Sequence, residues 1–272
     1  MPFLHKPVWS GSDAAAQALL RQQQDKVVFT GLAEPIAPHE LMQAYATQDA
    51  LVARLASQRR THVSGYKIAI TTQVMREFVG FDDAISGCVL ADTVFQTGHT
   101  VNADAFQNLI IEFELALQFA CDLPLTDMAW TADSIVECVA CAYPCLEIAD
   151  DRHAVYAHLK QHFFSLVAEN AWNHGVVLGD RIDKSRFAQL WQTTGTAFVN
   201  GQSIGSGHSR DVMGHPLQAL AWIANHMASR GHAFKAGQWV TTGSWLASYF
   251  PKPGQALRFE LVDGAQVCVN IH

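Results

Sequence analysis

The stretch Leu109-Ile110-Ile111-Glu112-Phe113-Glu114-Leu115-Ala116-Leu117 constrains this chain more than any other. It is apolar enough to be a buried strand, yet it carries two carboxylates two positions apart. Side chains alternate across a strand, so Glu112 and Glu114 share one face. Burying two like charges side by side is costly unless a cation compensates them. With 18 Lys and Arg against 25 Asp and Glu, the chain is poor in cations of its own, which makes a divalent metal a good candidate. The competing reading is an amphipathic strand with one solvated face, a common pattern. A third carboxylate bears on the choice: in Pro144-Cys145-Leu146-Glu147-Ile148-Ala149-Asp150, Glu147 sits between apolar neighbours. Three carboxylates form a hard oxygen site suited to Mg²⁺ or Mn²⁺, and an incomplete oxygen shell leaves room for substrate. Lys67, inside Gly65-Tyr66-Lys67-Ile68-Ala69-Ile70, must snorkel, pair with an acid or serve as a tuned catalytic group. Asp92, closing Cys88-Val89-Leu90-Ala91-Asp92, is either a strand-end turn residue or that acid.

The rest of the chain frames these residues. Its 272 residues allow one large domain or one domain with an appendage. Apolar residues at 49% and charged residues at 16% exclude disorder. A net charge of −7 with no basic block speaks against nucleic acid as a partner. Met1–Pro7 lacks the apolar stretch of a signal peptide, and no run approaches the ~18 apolar residues of a membrane span. The expectation is a soluble, cytoplasmic protein without membrane association, whose six cysteines are reduced core residues.

Apolar residues at helical spacing predict one helix from Ser12 through DAAAQALLRQQQDKVVF and a second from Pro38 through HELMQAYATQDALVARLASQ, with Gly31–Pro35 as the turn. This helical segment, 1–62, precedes an α+β domain, 63–272. Segments GYKIAI, GCVLAD, LIIEFELALQF and CLEIAD read as strands. Asn200-Gly201 and Asp263-Gly264 each predict a two-residue hairpin turn. Pro216 to Arg230 reads as a helix with Pro at its first position and Gly231 as its stop. Strands followed by hairpins, with few crossovers, favour α+β over doubly wound α/β.

Taken in order, Gly65-Tyr66-Lys67, Leu90-Ala91-Asp92, Ile111-Glu112-Phe113-Glu114, Pro144-Cys145-Leu146-Glu147, Gly214-His215-Pro216-Leu217 and Thr242-Gly243-Ser244 resemble the 2-keto-4-pentenoate hydratase family, which includes 4-oxalocrotonate decarboxylase and belongs to the fumarylacetoacetate hydrolase superfamily. The resemblance spans about residues 40 to 270. It implies mixed, layered β-sheets of the fumarylacetoacetate hydrolase C-terminal type with peripheral N-terminal helices. It implies a divalent metal, Mg²⁺ or Mn²⁺, held by Glu112, Glu114 and Glu147, with Lys67 and Asp92 beside a 2-oxo acid or 2-hydroxydienoate substrate. Gly243, Ser244, Trp172 and Arg210 are the candidates for contact with that substrate. A chelated 2-oxo group is electron-poor, which supports either conjugate addition of water or loss of a carboxylate.

The chain departs from its relatives in places. It has Glu169-Asn170-Ala171-Trp172 where they usually carry Asp-Asn-Ala-Ser, so a small hydroxyl becomes an indole that either walls the pocket or points into the core. Ala69 and Gly207-His208-Ser209-Arg210 stand where relatives often have additional glycine. Arg210 either meets a second substrate carboxylate or is a solvated loop residue. Cys138, Cys141 and Cys145 include only one Cys-x-x-Cys pair and read as reduced packing rather than zinc ligands. His174 and His208 fall near the motifs as contact or capping candidates, while Gly205-Ser206-Gly207 lacks the context of a nucleotide fingerprint. Trp222, Trp239 and Trp245 read as core or pocket wall.

The resemblance implies a divalent-metal-dependent hydratase of 2-hydroxypenta-2,4-dienoate or a homologue in aromatic meta-cleavage degradation. The alternatives are a 2-oxo-3-enedioate decarboxylase, a carbon–carbon hydrolase or oxaloacetate decarboxylase of the superfamily, and a weakly active partner subunit. A homo-oligomer, alone or associated with a paired hydratase or decarboxylase, is the expected assembly.

Overall fold

The helical periodicity ahead of residue 62 resolves into α1 (Ser12–Gln24) and α2 (Leu41–Arg59) in the computed structural model, which describes residues 9–126 and 128–272. Met1–Pro7, on which the reading of no export signal rests, lies outside the described residues. The first helix stops short of Phe29 because Lys26 turns left-handed at φ 50° and the Phe29 amide donates to the Arg152 carbonyl, 2.9 Å away. Then follow β1 (Val63–Ala69), α3 (Gln73–Val79), β2 (Ile85–Leu90), β3 (Val94–Gln96), β4 (His99–Val101) and β5 (Leu109–Phe119). The chain continues through α4 (Ala132–Ile135), β6 (Val139–Asp150), α5 (Phe163–Ala168), β7 (Asn173–Leu178), β8 (Ile182–Asp183) and α6 (Phe187–Leu190). It closes with β9 (Thr194–Val199), β10 (Gln202–His208), α7 (Pro216–Ser229), β11 (Trp239–Thr241), β12 (Ala256–Leu261) and β13 (Gln266–Ile271).

The strands form two mixed sheets. One runs β2-β1-β11-β5-β6-β7-β3 with β8 beside β6, and the other runs β10-β9-β12-β13-β4. Parallel pairs β1–β11, β3–β7 and β4–β13 are mixed with antiparallel neighbours. The long antiparallel pair β5–β6, in register from Leu109–Asp150 to Gln118–Cys141 and shifted by one residue at Phe119–Val139, is the spine of the larger sheet. Phe113, Val240, Phe259, Leu217 and Ile223 come from both sheets and α7 into one apolar cluster. A second cluster joins Leu19 of α1 and Leu51 of α2 to Ile85 of β2 and Leu166 of α5. Among the described residues no helix is long and apolar enough to cross a membrane.

The two hairpins differ. Val199 pairs with Gln202, so Asn200 and Gly201, at φ 49° and 81°, form the expected two-residue loop. The other hairpin has three loop residues: the Gly264 amide donates to the Leu261 carbonyl at 2.9 Å, and Leu261 donates to Ala265 at 2.8 Å. Only Gly264 is left-handed there, the pattern of a turn closed by one αL residue. Helix α7 starts as expected, with Pro216 at its first position and His215 Nδ1 accepting from the Leu217 amide at 3.1 Å.

Candidate metal and substrate site

Alternation along β5 and its register with β6 bring the acids together. Glu112 lies directly opposite Glu147, and Glu114 follows on the same face. One oxygen from each of Glu112, Glu114 and Glu147 lies within 4.8 Å of the others. Glu114 and Glu147 are fully buried, while Glu112 is half-buried. Lys67 of β1, only 3% exposed, places Nζ 3.0 Å from Glu147 Oε1. Asn173 Nδ2 donates to that same Glu147 oxygen at 2.9 Å, the Gly243 amide donates to Glu114 Oε2 at 2.8 Å, and Ser248 Oγ donates to Glu112 Oε1 at 2.5 Å.

Glycines make two of these approaches feasible. A Cβ on Gly87, the cross-strand neighbour of Lys67, would come within 2.8 Å of the Asn170 carbonyl and 3.1 Å of Lys67 Cγ. Gly243 has φ 105°, and a Cβ there would lie 2.6 Å from Thr71 Cγ2, so only glycine turns its amide onto Glu114.

Two oxygens remain without a hydrogen-bond partner although buried: Glu114 Oε1 and Glu147 Oε2. Native proteins pair nearly all such atoms, and three carboxylates facing one ammonium leave the cluster short of positive charge. Hard oxygen donors, unpartnered inner oxygens and excess negative charge fit a divalent cation. The proton affinities agree. Burial, then Glu147 and Glu112, raises the pKa of Glu114 well above the ordinary carboxylate value. Burial also raises that of Glu147, against the Lys67 charge. For Lys67 burial opposes the charged form, but Glu147, Glu112 and Glu114 outweigh it and hold the ammonium protonated.

The cluster opens into a cavity of about 470 Å³. Lys67, Glu112, Gly243, Ser244 and Ser248 line its polar part, and Ile70, Val79, Ile85, Leu159 and Leu166 line an apolar part. Trp172 also borders it, and the same half-buried ring meets Phe29 edge-on at 5.3 Å, so it touches cavity and core at once. The Ser244 hydroxyl is engaged by the Phe113 backbone, accepting from its amide at 3.0 Å.

Two expected residues lie elsewhere. Asp92 is not beside Lys67: it sits in the exposed turn after β2, its carboxylate 4.0 Å from Arg59. Lys67 pairs with Gly87 in mid-strand, and Asp92 is five residues further along, about 16 Å at ~3.3 Å per residue. Arg210 is exposed in the turn Ser209–Asp211 and does not line the cavity; its neighbour Asp211 does. His208 Nδ1 accepts from the Arg210 amide as a cap, and His174 Nδ1 lies 3.1 Å from the Trp172 carbonyl oxygen. Asn173, Ser248 and Asp211 carried no sequence signal, because nothing in their local pattern points toward the acids.

No family model matches the chain. It is 28% identical over 205 residues, 74% of its length and 76% of the relative's, to a 2-oxo-hept-4-ene-1,7-dioate hydratase of Escherichia coli. It is 26% identical over 242 residues to a 2-keto-4-pentenoate hydratase of Paraburkholderia xenovorans, covering 89% of this chain and 88% of that one. Among solved structures, 4-oxalocrotonate decarboxylase from Pseudomonas putida G7, complexed with magnesium and adipate, superposes with a TM-score of 0.85 at 20% identity over 96% of this chain and 97% of that one. A fumarylacetoacetate hydrolase family protein from Yersinia pestis CO92 superposes with a TM-score of 0.58 at 16% identity, covering 76% and 92%. The fold is that of the fumarylacetoacetate hydrolase proteins. The chain's homologues include proteins named 2-keto-4-pentenoate hydratase and 4-oxalocrotonate decarboxylase, which are lyases.

Proposed function

We propose that the protein is a divalent-metal-dependent hydratase that adds water to 2-hydroxypenta-2,4-dienoate or a homologue formed in aromatic meta-cleavage degradation. The observation that carries this reading is the pair of buried, unpartnered oxygens, Glu114 Oε1 and Glu147 Oε2, beside a buried ammonium that lines a cavity together with Glu112. The names of the homologous hydratases support it. Glu112, Glu114 and Glu147 would hold the cation, which supplies Lewis-acid polarisation of the 2-oxo acid and a template for its two oxygens.

The chain's own groups do the rest. Lys67 is fixed by Glu147 at 3.0 Å and kept charged, so it stabilises negative charge developing on the substrate oxygen and can hold or return a proton there. Asn173 orients Glu147 from the other side, and the Gly243 amide fixes Glu114.

Decarboxylation of a 2-oxo-3-enedioate is the second reading. Trp172 favours it, since an indole offers one donor and no acceptor with which to hold an attacking water. Against it, Lys67 is the only cationic side chain among the described residues that line the cavity, and Glu147 already engages it. Purified protein with Mg²⁺ or Mn²⁺ should consume 2-hydroxypenta-2,4-dienoate, followed by ultraviolet absorbance, without releasing carbon dioxide from 2-oxo-3-enedioates. Chelation and Glu114→Gln should each abolish the activity. A rate indifferent to chelation would sink the metal assignment, and prompt carbon dioxide release would favour the decarboxylase.

A further inference from the structure

Besides Lys67 and Glu112, the cavity has an extensive apolar lining. Ile70, Val79, Ile85, Leu159 and Leu166 are at most 8% exposed, and they belong to the apolar cluster that α1 and α2 build. The Trp172 ring adds a flat face, and its Nε1–H, buried without a partner, is a neutral donor in this wall. A volume of about 470 Å³ falls in the ~300–1,000 Å³ range of sites that enclose drug-sized ligands. Of the charged side chains that line it, Lys67 is committed to Glu147, Glu112 belongs to the acid cluster, and Asp211 at the rim is negative. A distal carboxylate would therefore find neutral donors, at Thr71, Thr72, Tyr156 and Trp172, but no free cation to pair its charge.

We propose that the substrate is a monocarboxylate whose end opposite the 2-oxo acid group is an alkyl or aryl substituent larger than that of the pentadienoate, seated against Ile70, Leu159, Leu166 and Trp172. The inference rests on the metal-site reading above and adds the chemistry of the tail. It separates this chain from the E. coli relative, named for a dioate, and from the decarboxylase whose structure holds adipate.

Calorimetric titration of the Mg²⁺-loaded protein with 2-oxopentanoate, 2-oxohexanoate, 2-oxooctanoate and 2-oxoadipate tests it. Each added methylene should tighten binding about fourfold, the equivalent of ~0.8 kcal/mol per buried CH₂. The diacid 2-oxoadipate should bind at least about tenfold more weakly than 2-oxohexanoate, which has the same number of carbons. Val74 lines the cavity and is 73% exposed, so Val74→Arg places a cation there without touching the core. That variant should narrow the gap between hexanoate and adipate. Affinity flat with chain length, adipate binding as tightly as hexanoate, or a gap unmoved by Val74→Arg would each overturn the tail proposal. If binding in those cases is still lost on chelation, the metal-site reading survives. Binding indifferent to chelation overturns both.

Discussion

A lysine 3% exposed is tolerable only among acids, and Lys67 has three of them. Its sequence context left snorkelling, pairing and catalysis open, because an apolar strand says nothing of what lies three strands away, where Glu147 sits. Lys67→Ala is expected to lower turnover about a hundredfold or more, the usual scale for an acid–base group, while leaving the circular dichroism spectrum intact. An unchanged rate would reduce the residue to an ion-pair partner. His226 offers a separate test, of stability. Its ring stacks on Trp222 with centroids 4.9 Å apart, Nε2 lies 3.1 Å from Ser86 Oγ, and burial, aided by Arg230 and His232, pushes its pKa down to about 4. The unfolded chain therefore takes up this proton near the ordinary value of ~6.5 while the native state resists it. Its contribution to stability is complete above about pH 6.5 and is lost as pH falls toward 4, by up to ~1.4 kcal/mol per pH unit. Urea midpoints at pH 7 and pH 5 should converge in His226→Gln relative to the parent; an identical drop in both would refute the assignment.

At the scale of elements, the segment joining α5 to β7 holds the Trp172 wall in place. Asn170, Ala171 and Trp172 are all left-handed, at φ 58°, 47° and 60°, a run that residues with a Cβ adopt at a cost of about 1–2 kcal/mol each. It persists because its surroundings fix it. The Asn170 amide exchanges two hydrogen bonds with the Cys88 backbone at 2.6 and 2.8 Å, and Glu169 pairs with Arg152 at 2.5 Å with both side chains buried. The change from a small hydroxyl to Trp172 was legible from the residues, but its direction was not, since these dihedrals are set by β2 and the Arg152 loop. Asn170→Ala is expected to cost about 1–3 kcal/mol in denaturant unfolding, by leaving Cys88 backbone groups unpaired. It should also weaken binding of 2-oxooctanoate more than that of 2-oxopentanoate. Equal weakening of both would mean that the loop does not shape the apolar wall.

Over the whole molecule, the apolar cluster that contains Leu19 of α1 also contains Ile70, Leu159 and Leu166 of the cavity wall. We therefore propose that 1–62 and 63–272 do not fold as independent units. Leu19→Ala, at a side chain with no exposed surface, should destabilise by about 2–5 kcal/mol in a single unfolding transition. Two separate transitions would support independent units instead. Within this architecture, the sequence alone determined what depends on local pattern: the alternation that puts Glu112 and Glu114 on one face, the Pro216 start and Gly231 stop of α7, the α+β class, and the ordered motifs of the resemblance. Tertiary structure decided what depends on register and on distant chain. It set Glu147 opposite Glu112, gave Lys67 to Glu147 rather than Asp92, left Arg210 in solvent, and brought Asn173 and Ser248 to the acids. The reason is physical: periodicity fixes which way a side chain points from its own strand, whereas its partner is fixed by how strands far apart in sequence slide and pack, and no short window of residues contains that information.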